Sequence, residues 1–283
     1  MARAPTLEEA RHWFAEELRA IAHLADERVV RAFAAVPRER FAGPGPWRLF
    51  NISDGYWSTP DGDPRRLYHN VLIGLDEARG INIGEPMLWA RHFDRVGIKD
   101  GDRVLQLGTG TGYYTAILAE LVGPKGRVDG IEIEASLASA AQRNLEPWPA
   151  AHVRRGDASK PVDGAWDLIV AFAGATTPLG WWVDALADGG RLLLPMTAAR
   201  GRGGFMLRLD RRRAGVAARS VGWVAFYPCA GARSPEDEGA IGIALNDPVG
   251  QQAVRSLRRD RHDRDDTCWL HGDGWCLSKH ELH

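Results

Sequence analysis

The pattern of apolar and polar positions divides the chain into a helical start, an irregular stretch and a long regular part. Thr6 and Glu9 have the spacing of a capping box before a first amphipathic helix, and a second helix is predicted over residues 26–36, before a proline. Residues 43–80 are rich in glycine, proline and aspartate. We expect this stretch to be dominated by loops and to cover the main domain.

After residue 80, short apolar runs alternate with helical patterns. Alternation of this kind predicts parallel strands joined by helices. Five such strands are predicted, in the segments RVLQL, RVDGIEI, HVRRGD, WDLIVAFAG and RLLLP. Two more, in GGFMLRLDRR and SVGWVAFYP, follow without an intervening helix and predict an antiparallel edge. The expected fold class is therefore α/β, with a doubly wound, mostly parallel, seven-stranded sheet.

The last part of the chain is predicted to be a small extension of a helix and a hairpin. Asp247 and Pro248 can begin a helix that runs to Leu257, and CWLHGDGWCL has apolar arms around a glycine-rich turn. The preceding run RSLRRDRHDRDD mixes both signs of charge, which favours a solvated face over a binding tract. The domain boundaries that follow are 1–80, 81–230 and 231–283.

Composition and charge exclude several classes of protein. The 283 residues are 45% hydrophobic and carry a formal net charge of -1, so no global field favours nucleic acid or an anionic membrane. Three cysteines are too few for a disulfide framework, which favours a reducing compartment. No apolar stretch has the length of a signal peptide or a membrane span. We expect a cytoplasmic protein.

The segment VLQLGTGTGYY, residues 104–114, contains the strongest chemical signal. Its three glycines, Gly108, Gly110 and Gly112, occupy the first strand-to-helix turn, where missing side chains let backbone amides approach a ligand. Glu132 ends the second strand, where a carboxylate can accept from both hydroxyls of a ribose. Asp157 ends the third strand and can accept from an adenine amino group, although a plain turn-forming aspartate is an equally good interpretation.

The glycine spacing distinguishes between adenosine ligands. A dinucleotide fingerprint reads GxGxxG, whereas the third glycine here comes one residue early and Tyr113 stands at the dinucleotide position. The spacing favours S-adenosylmethionine over NAD. An NAD oxidoreductase, and a turn that only lets a helix pack on a strand, remain as alternatives.

Several segments resemble the protein-L-isoaspartate (D-aspartate) O-methyltransferase family, over roughly residues 10–230: DERVVRAFAAVPRERF, GDRVLQLGTGTGYYTAILAEL, IEIE, WDLIVAFAGA and DGGRLLLP. The resemblance implies a Rossmann-like class I methyltransferase fold whose N-terminal segment covers the substrate. It also implies S-adenosyl-L-methionine as methyl donor and S-adenosyl-L-homocysteine as product. The cofactor-binding residues that it implies are Gln106, Gly108, Thr109, Gly110, Thr111, Gly112, Tyr113, Glu132, Ile133, Gly156, Asp157 and Ala158. Gln106 stands where the family usually has a glutamate.

The chain departs from the family on the acceptor side. The repair enzymes carry Thr-Ile-Ser-x-Pro, whereas this chain has Asn82 for the threonine and Gly84 for the serine that lies beside the reacting carboxylate. Asn82 can donate an amide hydrogen to a carboxylate, whereas an inward-pointing glutamate at the next position would repel it. By the resemblance, Asn82 and Gly84 are substrate-side catalytic positions. The predicted substrate contacts are Ile83, Glu85, Pro86 and Trp181.

Some of these residues can instead have a purely structural role. Pro86 also suits the first position of a helix, and the pair Trp181–Trp182 also suits core packing. His69 and His92 are candidate bases only by proximity in sequence, and we expect them to be structural or solvated.

The absence of an obvious His-Asp pair near the motif is compatible with a carboxylate acceptor. A sulfonium donor is already activated and a carboxylate is already ionised at neutral pH, so the protein needs to align the reactants and exclude water. The expected acceptor belongs to a peptide, a protein or a small molecule. Alternatives are a methyltransferase for a metabolite or a biosynthetic peptide, and a donor-binding protein without catalysis.

The extension also contains four soft or borderline metal ligands: Cys268, His271, Cys276 and His280. Zinc accepts such a set. However, His271 falls in the predicted hairpin turn and His280 near the terminus, while buried cysteines commonly act as small hydrophobes. The sequence therefore assigns no metal.

Overall fold

The structure is a computed structural model that describes residues 3–198 and 203–282. The outermost residues of the predicted segments 1–80 and 231–283, namely 1, 2 and 283, lie outside the described residues, as do residues 199–202. The helices are α1 (Leu7–Ala22), α2 (Glu27–Ala35), α3 (Glu39–Ala42), α4 (Pro86–Val96), α5 (Tyr113–Val122), α6 (Ala135–Asn144), α7 (Gly180–Asp184), α8 (Pro235–Ala244) and α9 (Pro248–Ala253), with a 3-10 turn at Pro64–Leu67.

The strands of the first third of the chain are short, and the longest strands come later. They are β1 (Arg48–Asn51), β2 (Gly55–Ser58), β3 (Leu72–Asp76), β4 (Ile81–Ile83), β5 (Arg103–Leu107), β6 (Arg127–Glu132), β7 (Ala151–Arg155), β8 (Trp166–Ala171), β9 (Leu186–Thr197), β10 (Gly204–Arg212), β11 (Gly215–Val224), β12 (Ser256–Arg258), β13 (Cys268–Gly272) and β14 (Trp275–Ser278).

The chain forms two compact units. The first contains Met1–Asp102 and Thr109–Arg155, and the second contains Arg103–Gly108 and Gly156–His283. The chain therefore passes from one unit to the other inside the glycine turn, between residues 108 and 109.

The two helices predicted at the start of the first unit are confirmed. Thr6 Oγ1 accepts from the Glu9 backbone N–H at 3.1 Å, and the Glu9 side chain accepts from the Thr6 N–H at 2.7 Å, which completes the capping box. The side chain of Asp26 accepts from the Arg28 N–H and caps α2. Phe14 and Phe33 point into the core of this unit.

Residues 43–80 consist mostly of loops and turns, as predicted, but they also contain strands that the sequence did not indicate. This stretch contributes β1, β2 and β3 to a four-stranded antiparallel sheet in the order β2-β1-β3-β4. Its strands have only three to five residues, and turn-forming residues separate them, so no long alternation marked them in the sequence. The boundary predicted at residue 80 falls in the turn between β3 and β4.

The remainder of the first unit follows the predicted alternation. β6 and β7 are parallel, with Val128 opposite Ala151 and Glu132 opposite Arg155. α5 is buried along almost its whole length, as its continuous apolar sequence requires.

The second unit contains one sheet in the order β13-β14-β12-β11-β10-β9-β8-β5. β5, β8 and β9 are parallel neighbours, and the strands after β9 are antiparallel. The α/β class is confirmed. The count of seven strands is not, because three strands of the extension, β12 to β14, join this sheet.

The extension is a hairpin with more regular structure before it than the sequence indicated. The helix predicted from Asp247 to Leu257 ends at Ala253, and residues 256–258 form β12 instead. A further helix, α8, is capped by Ser234. In the part of the chain that the structure describes, no helix is both long and apolar enough to cross a membrane.

A buried histidine in α4 predicts acid sensitivity of the fold. Burial, together with the charges of Arg91 and Arg95, lowers the pKa of His92 from 6.5 to about 4. The folded state therefore prefers neutral His92, and this contribution is complete above pH 6.5 and is lost as the pH falls toward 4. Between pH 7 and pH 5 we expect the wild type to lose about 2 kcal/mol of unfolding free energy that the His92→Gln variant does not lose. Urea unfolding at both pH values measures the difference, and parallel losses in the two proteins would contradict it.

Candidate functional site

The glycine turn requires glycine because of its backbone conformation. Gly108, Gly110 and Gly112 have φ values of 85°, 54° and 98°, in the left-handed region. At Gly112 a Cβ atom would also lie 3.1 Å from Leu145 Cδ1, whereas at Gly108 and Gly110 the nearest atoms would be 3.7 Å away. At Gly108 and Gly110 the backbone conformation therefore requires glycine, and the space beside the backbone is open.

Glu132 organises the part of this turn that lies in the first unit. Its Oε2 accepts from the backbone N–H groups of Thr109 at 3.0 Å and Gly110 at 2.7 Å, and its Oε1 accepts from Glu134 N–H at 3.0 Å. The side chain is 6% exposed. A carboxylate has about four acceptor positions, so three are occupied and one remains for a ligand. Glu132 thus shapes the turn, a role that strand-end position alone did not predict.

Two further predicted cofactor residues of the first unit offer unused surface. Thr111 Oγ1 is buried and has no hydrogen-bond partner among the described residues, a state that a polar ligand atom would relieve. Ile133 directly follows Glu132 and is 47% exposed, although it is a large apolar side chain. A ligand with both polar and flat apolar parts suits this combination.

The structure places the side chain of Tyr113 in an aromatic cluster. Its ring packs edge-on against Phe33, Phe41 and Tyr114, with centroid distances of 6.4, 5.7 and 4.9 Å, and the residue is 1% exposed. The predicted cofactor role of Tyr113 is thereby limited to its backbone at the start of α5.

Two hydrogen bonds hold the side chain of Asn82, a residue that was predicted to lie on the acceptor side. Its Oδ1 accepts from the Tyr56 hydroxyl at 2.6 Å, and its Nδ2 donates to the Gly80 carbonyl at 2.7 Å. The amide nitrogen carries two hydrogens, so one remains for another acceptor. Tyr56 lies in β2, within the stretch that was predicted to be loop, and the sequence therefore did not indicate this partnership.

The glycine in place of the family serine has a packing reason. A Cβ atom at Gly84 would lie 3.0 Å from Trp89 Nε1 and 3.8 Å from Tyr114 Cε2. The Tyr114 hydroxyl donates to the Gly84 carbonyl at 2.6 Å, and the Trp89 and Tyr114 rings are 5.8 Å apart. The stretch around Gly84 is thereby tied directly to α5, the helix that follows the glycine turn.

Glu85 and Pro86 form the start of α4. Pro86 occupies the first helical position, and Glu85 is the N-cap residue without a side-chain cap. The Glu85 carboxylate instead accepts from Asn70 Nδ2 at 3.0 Å, and Asn70 Oδ1 accepts from Met87 N–H at 2.8 Å. Ile83 is buried at the end of β4. The predicted helix start is confirmed, and the substrate contacts stay predictions.

In the second unit, hydrogen bonds hold Gln106 and the loop after residue 155. Gln106 is fully buried, and its Nε2 donates to the Gly108 carbonyl at 3.2 Å. Asp157 Oδ1 accepts from Ser159 N–H at 2.8 Å, and hydrogen bonds from the side chain and backbone of Ser159 lower the pKa of Asp157. Asp157 is therefore an ionised acceptor and also a turn former.

The tryptophan pair supports this loop. Trp181 Nε1 donates to the Ser159 carbonyl and Trp182 Nε1 to the Ala158 carbonyl, each at 3.0 Å. Trp182 is completely buried, and Trp181 is half-buried. The pair thus holds the loop that runs from Gly156, while substrate contact by Trp181 stays a prediction.

The β3–β4 hairpin contributes residues that the sequence did not single out. Leu75 Cδ1 would be the nearest neighbour, at 3.7 Å, of a side chain at Gly110. Arg79 forms an ion pair with Glu134, two residues beyond Glu132. The hairpin therefore lies beside both the glycine turn and the end of β6.

The fold defines the class of protein. The structure is similar to a solved protein-L-isoaspartate O-methyltransferase, with a TM-score of 0.65 at 21% identity over 89% of this chain and 72% of that one. It is also similar to a candidate enzyme of this kind from Plasmodium falciparum in complex with S-adenosyl-L-homocysteine, with a TM-score of 0.61 at 18% identity over 78% and 98% of the two chains. The chain has the class I fold of S-adenosylmethionine-dependent methyltransferases.

Sequence comparison identifies the family. The profile of the protein-L-isoaspartate(D-aspartate) O-methyltransferase family matches residues 9–234, and the chain belongs to this family. It is 30% identical over 218 residues to protein-L-isoaspartate O-methyltransferase of Pyrobaculum islandicum, covering 75% of this chain and 95% of that protein. The corresponding enzyme of Pyrococcus horikoshii is 31% identical over 220 residues, 76% of this chain and 90% of that protein. The chain is a methyltransferase that uses S-adenosylmethionine.

Proposed function

We propose that this methyltransferase esterifies the free carboxylate of isoaspartyl residues in peptides and proteins. The observation that carries the proposal is the hydrogen bond from Tyr114 to the Gly84 carbonyl. It ties the stretch 82–86, where we propose that the acceptor binds, to the helix that begins at the glycine turn, where we propose that the donor binds. Methyl transfer depends on the alignment of donor and acceptor.

The cofactor residues that we propose are those of the glycine turn, the ends of β6 and β7, and Gln106. Support comes from the left-handed glycines, the remaining acceptor position of Glu132, the unpartnered Thr111 hydroxyl and the exposed Ile133. S-adenosylmethionine supplies a methyl group that is already activated by its sulfonium charge. The protein residues bind and orient it and exclude water.

Asn82 is the residue that we propose to orient the acceptor carboxylate in place of the missing serine hydroxyl. Tyr56 and Gly80 fix its amide plane, which leaves one N–H to donate. The carboxylate of Glu85 accepts from Asn70 at the start of α4, where the positive end of the helix dipole offsets part of its charge.

The proposed mechanism requires no general base. His92 is buried in α4 with a pKa lowered to about 4, and His69 is exposed, with its carbonyl accepting from Arg38. Neither histidine shows the hydrogen-bonded partner of a catalytic base among the described residues. An acceptor that is already ionised suits these features, and we propose the cytoplasm, where proteins with free thiols persist, as the compartment.

Two matched peptides that differ only in one aspartyl linkage test the proposal. With labelled S-adenosylmethionine, we expect methyl ester on the isoaspartyl peptide and a yield at least about a hundredfold lower on the aspartyl peptide, since the second carboxylate is displaced from the aligned position. Mass spectrometry locates the ester.

The Asn82→Ala variant extends this test. We expect a KM for the isoaspartyl peptide raised by about tenfold or more, because the variant loses a hydrogen bond to a charged group. Ile52→Ala, at an exposed side chain in the same unit, serves as the control. Equal labelling of both peptides, or none with donor binding intact, would contradict the proposed acceptor.

A further inference from the structure

Two cysteines and two histidines meet in the extension. Ligand atoms of His262, Cys268, His271 and Cys276 all lie within 4.8 Å of one another, and His262 Nε2 lies 3.3 Å from Cys268 Sγ. His280, which the sequence suggested as the fourth ligand, is not part of the group; His262 takes its place. His262 comes from the charged run that was predicted to be a solvated face, yet its side chain is only 11% exposed.

Strand register explains how the hairpin presents three of these side chains together. His271 and Cys276 are directly opposite each other in β13 and β14, so they share a face. Residues three apart in a regular strand point to opposite faces, but the register shifts between Cys268 and Leu270. This irregularity returns Cys268 to the face of His271.

Each of the two imidazoles has a ring nitrogen that is available to bind a metal ion. His262 Nδ1 lies 2.9 Å from the Asp260 carbonyl, an arrangement that places the proton on Nδ1 and leaves the Nε2 lone pair toward Cys268. His271 Nδ1 is buried with no hydrogen-bond partner in the described part of the chain. A buried ring nitrogen without a partner is costly unless another atom satisfies it.

We propose that His262, Cys268, His271 and Cys276 bind one zinc ion. Two thiolates and two imidazoles are a tetrahedral donor set typical of Zn²⁺ and unsuited to the oxygen-preferring Mg²⁺ and Ca²⁺. Tetrahedral zinc separates such ligand atoms by roughly 3.3 to 3.8 Å, so side-chain movements of about 1 Å close the group around the ion. The packing of Cys268 and Cys276 as small hydrophobes would not explain the inward imidazoles.

The site is structural and belongs to this chain's own extension. Four protein ligands leave no open coordination position for a substrate. All four lie beyond residue 234, where the match to the methyltransferase family ends. The ion joins the loop between β12 and β13 to the hairpin that completes the sheet of the second unit.

Metal content of the full chain, prepared without an affinity tag, is the first test. We expect about one zinc per chain by elemental mass spectrometry. Cys276→Ser and His262→Gln should lose the metal. The matched controls Cys229→Ser and His280→Gln should keep it, because Cys229 is a buried thiol outside the group, with its pKa raised to about 11 by burial, and His280 is exposed.

Cobalt titration of the chelator-treated wild type is a second test, which does not depend on whether a variant folds. We expect the visible bands of tetrahedral cobalt and a thiolate charge-transfer band that zinc abolishes, with affinity about a hundredfold weaker in His262→Gln. Octahedral cobalt bands, zinc retained by Cys276→Ser, or a Cys268–Cys276 disulfide in protein purified under reducing conditions would overturn the proposal.

Discussion

Replacing Glu132 with alanine is expected to weaken binding of S-adenosylhomocysteine by more than tenfold, and by about a hundredfold if the turn also loosens. The variant removes the acceptor of Thr109, Gly110 and Glu134 N–H groups in a site where the side chain is 6% exposed. It therefore removes the group that holds the turn in place and, with it, the ligand contact that we propose for Glu132. Isothermal titration calorimetry with the purified chain measures the change.

Two comparison variants test whether the loss of affinity depends on the charge of Glu132. Glu132→Gln keeps the size of the side chain but replaces the carboxylate with a neutral amide. Because the charge-assisted hydrogen bonds from the two backbone N–H groups are lost, we expect binding nearly as weak as in the alanine variant. Glu146→Ala removes an exposed carboxylate of the same unit and should bind like the wild type. Unchanged affinity in Glu132→Ala would remove Glu132 from the donor site.

Replacing Arg38 with alanine is expected to cost about 3 to 5 kcal/mol of unfolding free energy. Arg38 is fully buried, and its guanidinium donates to the carbonyls of Leu67, His69 and Val71. It also lies over the ring of Phe14, 5.5 Å from the centroid. Alanine would leave three carbonyls without this donor and open a cavity next to the segment that leads into β3.

Arg38→Lys and Arg40→Ala are the informative comparisons in urea denaturation. Lysine carries the charge but lacks the planar fork, so we expect it to recover less than half of the loss. Arg40 lies two residues further, in α3, and is exposed; its guanidinium donates to the carbonyls of Asn144 and Arg143, and its removal should cost about 1 kcal/mol or less. A loss in Arg38→Ala no larger than that of Arg40→Ala would show that its buried hydrogen bonds contribute little.

The sequence indicated more about the role of Glu132 than about the role of Arg38. Glu132 ends a strand pattern at a fixed distance from a glycine turn, so its position in the chain predicted a ribose contact, although not its hydrogen bonds to the turn. Arg38 is part of a segment with a recognised family pattern, but nothing in the chain shows which carbonyls it satisfies. Its partners lie about thirty residues away and meet it only through packing.

The sequence was least informative where strands are short or contacts are distant. The four-stranded sheet of the first unit escaped prediction because strands of three to five residues show too little alternation. As a consequence, Tyr56 and Asn70, the partners of Asn82 and Glu85, were not identified. In the extension, the sequence suggested His280 rather than His262 as a neighbour of the two cysteines. It did so because His262 lies in a charged loop that was predicted to be exposed.

By itself, the sequence determined the α/β class, the methyl donor and the position of the glycine turn, because glycine spacing and the ends of strands are local properties of the chain. The tertiary structure decided what surrounds them. It showed that Glu132 holds the turn, that Trp89 occupies the space beside Gly84, and that a strand irregularity places Cys268 with His271. Those results depend on register and side-chain packing between residues far apart in the chain, which no local pattern encodes.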